Sequence, residues 1–222
     1  MITIFTIPKP FLGLDEIHQR NAIQSWLAIK PKCEIILCGN DDGVAAAARE
    51  YGILHIPDIP TNEFGTPYLN HVFIKAQEMA KHDLICYVNA DIIFPNNLIS
   101  IINSISFTKF LVVGRRHNLD IEEDIDFQSS ESVGHHLWNK VTESDLYTMA
   151  GSDYFIFIRN SIKGLPNFTV GRPGWDNWMF YYARKNQYPL IDATEAIVAI
   201  HQNHGYEHVR NGRNDTWEGP EG

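Results

Sequence analysis

The chain has 222 residues, 44% of them hydrophobic and 20% charged, which is enough for one well-buried core and compels no second domain. A formal net charge of −9 argues against a duplex nucleic-acid binder, whose affinity comes largely from Lys and Arg displacing counterions, but leaves a small phosphorylated ligand open. The start, Met1-Ile-Thr-Ile-Phe-Thr-Ile-Pro8, lacks the basic segment, long apolar run and cleavage site of a signal peptide. Apolar runs such as Leu84 to Val88 and Leu98 to Ile102 end far short of the roughly 20 residues of a spanning helix, so no membrane span is expected. Cys33, Cys38 and Cys86 have neither the pairing nor the spacing of a disulfide framework or zinc site, and reduced thiols in a cytoplasmic protein are expected.

In chain order, Ile2 to Ile7 reads as a buried strand, followed by a loop with Pro8, Pro10 and Gly13. Asp15 is placed to cap a helix whose Ile17, Ile23, Trp26 and Leu27 recur at helical spacing, with Pro31 closing it. Glu34 to Cys38 is a second strand, Gly39 to Gly43 a turn, Val44 to Tyr51 a helix with Gly52 as its C-terminal cap, and Ile53 to Ile56 a short third strand. Thr66-Pro67 has the chemistry of a helix start, and Leu69, Val72, Phe73, Ala76, Met79 and Ala80 mark the face that this helix buries. Leu84 to Val88 is the fourth strand, Leu98 to Ile105 a helix and Lys109 to Val113 a strand. Residues 115 to 150 are polar and acidic without a clear period, and are expected to make an irregular excursion over the active face. Tyr154 to Ile158 then reads as a strand, Trp175 to Lys185 as a helix and Ala196 to His201 as a last strand. Strands and helices taking turns imply an α/β fold with a mainly parallel central sheet, helices on both faces, and ligands beyond the carboxyl ends of the strands.

The segment Leu84-Ile-Cys-Tyr-Val-Asn-Ala-Asp-Ile-Ile-Phe94 carries the chemistry. Its strand delivers Asn89 and Asp91 into the loop at its carboxyl end, where a carboxylate-held cation would bridge two oxygens of a nucleotide diphosphate. Alternatively, Asp91 only caps the turn before Pro95. Asn89-Ala90-Asp91 resembles the Asp-x-Asp motif of GT-A glycosyltransferases, with Asn in place of the first acid. The resemblance implies that Asp91 ligates a metal, manganese or magnesium, and that Asn89 hydrogen-bonds the ribose; the missing charge weakens the metal's hold.

The same family often recruits a late His, and His201, at the end of an apolar strand in Ile197-Val-Ala-Ile-His-Gln-Asn-His-Gly-Tyr-Glu-His208, looks like that further metal ligand, with His204 second. A surface or pH-sensitive cluster is the other reading. In Gly171-Arg-Pro-Gly-Trp-Asp-Asn-Trp-Met-Phe180, Asp176 stands where inverting GT-A enzymes place the general base, although an N-terminal cap would use the same residue. Trp175 and Asn177 are candidate sugar or acceptor contacts, with Trp175 and Trp178 equally open to a core role. Gly151-Ser-Asp153 resembles the acceptor-side or donor-sugar loop of the same enzymes, making Asp153 a candidate for donor-sugar hydroxyls.

By topology, Thr6, Ile7 and Pro8 end the first strand where related folds hold the base, and Asp42 after the second strand is placed for the ribose, although Asn-Asp-Asp-Gly is also ordinary turn chemistry. Of Lys75, Arg115 and Arg116, Arg115 directly follows a strand and is the candidate partner of the diphosphate.

With the opening Ile-Pro, Asn-Ala-Asp, Gly-Trp-Asp-Asn and the final His-Gln-Asn-His in this order, residues 2 to 208 resemble the small capsid-glycan glycosyltransferases of large chlorella viruses. That resemblance implies a UDP-sugar donor (UDP-L-rhamnose or UDP-glucose), manganese, a glycan or glycoprotein acceptor, and work in the host cytoplasm. A sugar-nucleotide nucleotidyltransferase is the enzymatic rival, although Pro8-Lys-Pro-Phe-Leu-Gly13 is a poor phosphate loop; a noncatalytic carbohydrate-binding module is the other rival. Residues 1–222 are read as one GT-A domain, whose tail at 209–222 suggests excision from a longer protein.

Overall fold

A computed structural model describes residues 1–94, 98–127, 130–148 and 151–204; His208 and the tail at 209–222 lie outside the described residues. The strands are β1 (Ile2–Thr6), β2 (Glu34–Cys38), β3 (Leu54–Ile56), β4 (Leu84–Val88), β5 (Ile92–Ile93), β6 (Leu111–Val113), β7 (Arg116–Leu119), β8 (Tyr154–Ile158), β9 (Leu190–Asp192) and β10 (Ala199–Gln202). The helices are α1 (Gly13–Ala28), α2 (Val44–Tyr51), α3 (Leu69–Met79), α4 (Leu98–Ile102), α5 (Ser130–Glu143) and α6 (Trp175–Lys185). None is long and apolar enough to cross a membrane among the described residues.

The main sheet has seven strands in the order β3-β2-β1-β4-β8-β6-β9. All neighbours run parallel except β8, which is antiparallel to both β4 and β6. Because side chains alternate across a strand, the sheet feeds two cores. Ile2, Ile4, Ile35, Leu37, Cys86, Val88, Val112 and Ile156 pack beneath α1, α2 and α4. Phe5, Ile36, Cys38, Ile85, Tyr87, Phe155 and Phe157 pack against α3 and α6. Each of these large apolar side chains contributes about 1.5–3 kcal/mol by leaving water.

A second sheet, β5-β10-β7, pairs β10 antiparallel to β5 and parallel to β7. Ile93, Leu119 and Ile200 from its strands pack with Leu137 and Val141 of α5. The excursion expected between 115 and 150 is therefore partly regular. Arg116-His-Asn-Leu119 forms a strand with one buried residue, so its sequence shows no apolar run.

Two expected helix starts are corrected. Helix α1 begins at Gly13 after an extended Leu12, and the Asp15 carboxylate binds Lys9 Nζ at 2.9 Å instead of capping the backbone. Thr66 and Pro67 lie in an extended segment: Asn62 Oδ1 accepts the Thr66 amide at 2.9 Å, Pro67 bridges Thr61, and α3 starts only at Leu69. The last strand also starts later than expected, because the Ala196 amide is taken up in a turn on the Ala193 carbonyl.

Candidate active site

Strand β4 runs into Asn89-Ala90-Asp91 at its carboxyl end, beside the end of β1. Because β8 runs the other way, its amino end arrives at the same edge: Val88 pairs with Tyr154, and the Asn89 amide donates to the Asp153 carbonyl at 2.9 Å. Strand β10 crosses beside β5 with His201 opposite Ile92, one residue beyond Asp91. Three distant stretches of sequence thus meet at one corner.

Helix α1 holds that corner from below with a buried polar face. Trp26 Nε1 donates to the Ile92 carbonyl at 2.9 Å, and Ser25 Oγ accepts the Phe94 amide at 3.2 Å. Gln202 Nε2 donates to the Asp91 carbonyl at 3.0 Å and to the His18 carbonyl at 2.8 Å, while its Oε1 accepts from Asn21 Nδ2 at 3.0 Å. Backbone polar groups that would be costly if left bare are satisfied, and the loop carrying Asp91 is fixed.

Asp91 Oδ2 lies 3.0 Å from His204 Nε2 and 3.4 Å from His201 Nε2. One ligand atom from each of Asp91, His201 and His204 falls within 4.8 Å of the others, a spread that one ion bonded at about 2.0–2.2 Å would draw together. The second carboxylate oxygen of Asp91 is buried without a partner among the described residues, an orphan acceptor of the kind a cation satisfies. Burial alone would raise the Asp91 pKa, but the charge and hydrogen bonds of His201 and His204 outweigh it and hold the carboxyl well below its usual range. A carboxylate with two imidazoles suits manganese, iron or zinc better than magnesium.

A cleft of about 360 Å³ opens above this cluster. Asn89, Ala90, Asp91, Asp153, His201, Trp175, Asp176, Asn177 and Ile7 all border it. Thr6 is buried beneath it, and Pro8 and Asp42 are not among its lining residues; the Asp42 carbonyl accepts the Phe11 amide at 2.8 Å, in a turn in which Gly43 has no room for a Cβ beside Phe11.

Arg115 points away from the cleft, donating Nε to the Tyr147 carbonyl at 2.6 Å and a terminal nitrogen to the Leu146 carbonyl at 3.1 Å. Its neighbour Arg116 faces the cleft, with Nη1 2.5 Å from Asp153 Oδ1. Asn89 Nδ2 donates to that same oxygen at 2.8 Å, leaving Asp153 Oδ2 buried and partnerless among the described residues.

Helix α6 forms the opposite wall. Gly174, its N-cap, has φ of 100°, a conformation that strains any residue with a Cβ. Trp175 is mostly buried, edge-on to Tyr87 with ring centres 5.0 Å apart and 4.8 Å from Phe155, so it anchors the helix start while bordering the cleft. Asp176 sits in the first turn, one of its oxygens accepting the Asn177 amide at 2.8 Å. Lys9, Asp15, His18, Gln19, Arg172 and His204 are further polar side chains of the lining. Of these, sequence reasoning singled out only His204 for the site. The others sit inside a helix or an irregular loop, where no run or spacing signals that a side chain faces a ligand.

No protein-family model and no curated relative matches the chain. Among solved structures it is similar to a Desulfovibrio desulfuricans G20 protein assigned as a nucleotide-diphospho-sugar transferase, at 12% identity and a TM-score of 0.51 over 86% of this chain and 78% of that one. It is also similar to glucosyl-3-phosphoglycerate synthase of Mycobacterium tuberculosis, solved with Mn2+, UDP and phosphoglyceric acid, at 14% identity and a TM-score of 0.51 over 92% of this chain and 71% of that one. The fold is the Rossmann-like GT-A fold of these transferases.

Proposed function

We propose that the protein transfers a sugar from a UDP-sugar to a hydroxyl of a glycan or glycoprotein acceptor, with inversion and with a divalent metal at Asp91. The observation that carries this reading is the Asp91–His201–His204 cluster facing one cleft with Asp153 and Asp176, at the strand ends where this fold binds ligands. The mycobacterial neighbour, crystallised with Mn2+ and UDP, supports the choice of nucleotide and of ion.

Asp91, His201 and His204 would hold manganese, or less readily magnesium. When bound there, the ion supplies neutralisation of the charge that grows on the diphosphate as the sugar departs. Arg116, beside the cluster's cleft, adds a fixed positive charge on the donor side. The partnerless Oδ2 of Asp153 is an acceptor for a donor-sugar hydroxyl, while Arg116 and Asn89 fix its other oxygen. Asp176 takes the proton of the acceptor hydroxyl as that oxygen attacks the anomeric carbon from the face opposite the departing diphosphate, which inverts the centre. Asn177 and Trp175 border the acceptor. The burial of Trp175 weighs against a noncatalytic carbohydrate-binding module, which would need its face.

UDP-L-rhamnose or UDP-glucose as donor, and a place in the cytoplasm of a virus-infected host, follow from the chlorella-virus resemblance. Three buried free cysteines support a reducing compartment. We take residues 1–222 as one catalytic domain.

Calorimetric titration with UDP, with and without manganese, tests the reading on the wild type and on Asp91→Ala. Manganese-dependent binding that the substitution abolishes is expected. UDP binding that ignores manganese and Asp91, or no UDP binding at all, would overturn it.

A further inference from the structure

His18 lies in the second turn of α1 with none of its surface exposed, yet it borders the cleft. Its Nε2 is 2.7 Å from the Ile121 carbonyl oxygen. A carbonyl only accepts, so in the neutral ring that burial favours the proton resides on Nε2 and Nδ1 presents a lone pair. That Nδ1 is buried without a hydrogen-bond partner among the described residues. The ring is therefore fixed as an acceptor, and the group that satisfies it must bring an O–H or N–H. Phosphate oxygens only accept, so the diphosphate cannot fill this place.

Position narrows the choice. The His18 ring centre is 6.4 Å from that of His204, whose Nε2 contacts Asp91, and His18 is not one of the converging metal ligands. With the phosphates at the Asp91 cluster and the donor sugar assigned to Asp153, the ribose, one bridging oxygen and one methylene from the phosphates, is the remaining part of the nucleotide that brings hydroxyls. The polar side chains around His18 are already engaged. Gln19 closes on the Lys9 backbone with its Oε1 accepting the amide at 2.6 Å and its Nε2 donating to the carbonyl at 3.1 Å, and Asp15 pairs with Lys9 Nζ.

We propose that His18 Nδ1 accepts a hydrogen bond from a ribose hydroxyl of the bound nucleotide and so selects ribonucleotides over deoxyribonucleotides, an inference that rests on the nucleotide-sugar reading above.

Calorimetry with UDP, 2′-deoxy-UDP and 3′-deoxy-UDP in saturating manganese tests it on the wild type, His18→Gln and His18→Phe. Glutamine keeps an amide nitrogen at about the reach of Nε2 for Ile121 but has no acceptor at Nδ1. The wild type should prefer UDP about tenfold over at least one deoxy analogue, the share of one buried hydrogen bond. Both variants should bind all three nucleotides within about twofold of one another, with wild-type circular dichroism. In the wild type, the His18 Nδ1 nitrogen resonance should move on adding UDP and not on adding the disfavoured analogue, a readout that needs no variant to fold. Equal wild-type affinity for the three nucleotides, a preference that survives in a folded variant, or an unmoved resonance would each overturn the proposal while leaving UDP binding intact. A wild type that binds no UDP would remove the nucleotide reading and this proposal together.

Discussion

Replacing Arg116 with methionine strips a buried carboxylate of its cation. Arg116 and Asp153 keep 16% and 8% of their side-chain surface, and the guanidinium sits 2.5 Å from Asp153 Oδ1. Removing one partner of a buried pair costs about 3–5 kcal/mol, since the remaining charge stays desolvated. Asn89 Nδ2 still donates to that oxygen at 2.8 Å, which places the expected loss near the lower end, about 3 kcal/mol. For a chain of this size that is a fall in Tm of about 6–12 °C. Arg116 also donates Nε to Asn118 and lies 4.5 Å over the Tyr147 ring, and these contacts vanish with it. A double-mutant cycle with Asp153→Asn removes them from the comparison, because they are absent from both the single and double Arg116 variants. Urea unfolding followed by circular dichroism gives the four stabilities, and the two single losses should together exceed the double loss by about 2 kcal/mol. A loss under about 1 kcal/mol for Arg116→Met, the size of an exposed pair, would refute the reasoning by showing that water reaches Asp153.

Asp176→Asn keeps the shape of α6 but removes the proposed base, so kcat should fall about 10²–10⁴-fold while UDP affinity, measured by calorimetry, stays unchanged; a kcat within tenfold of wild type would reassign the base. Gly114→Ala would drive its Cβ into the Tyr154 hydroxyl, which belongs to a fully buried ring, and should cost about 1–3 kcal/mol in urea unfolding; a neutral result would mean that Tyr154 moves freely. Burial lowers the His18 pKa below 6.5, outweighing the raising pull of the Ile121 carbonyl and Asp91. The unfolded chain therefore takes up that proton first as pH falls through 6.5, so the contribution is full above 6.5 and lost as pH drops towards the lowered folded value. His18→Phe should flatten the stability slope between about pH 7 and pH 5, leaving the share of His117, whose pKa burial also lowers; an unchanged slope would sink this account.

Much of the main sheet was legible because its strands are short apolar runs between turn residues. Glu34–Cys38, Leu84–Val88 and Tyr154–Ile158 have the bounds their sequences suggest, as do α2 and α6. Two strands were harder to read: β7, in the small sheet, is polar and carries Arg116 toward the cleft, and β9, at the edge of the main sheet, is three residues with two of them exposed. Asp91, His201 and Asp176 could be singled out because each sits where an element ends or begins. Arg115 and Arg116 could not be separated by that logic, since neighbouring residues face opposite sides and a one-residue difference decides which reaches the cleft. His18 gave no signal at all, because a His within a helix reads the same whether it faces solvent, core or ligand.

Asn89 shows why a departure from a motif is best judged in its surroundings. An acid at this position would set a second carboxylate against Asp153 Oδ1, now 2.8 Å from the Asn89 amide nitrogen and also bonded by Arg116. Like charges at that separation cannot both ionise without a large penalty. Asparagine instead donates, so Asp153 is held by one charged and one neutral donor and its other oxygen remains available to the cleft. The negative charge withheld at 89 leaves Asp91 as the carboxylate of the candidate metal cluster, and the fold places ring nitrogens of His201 and His204 around it. Charge is thus divided between two neighbouring groups, one around Asp91 suited to a cation and one around Asp153 suited to a hydroxyl, and the antiparallel entry of β8 beside β4 is what sets them side by side.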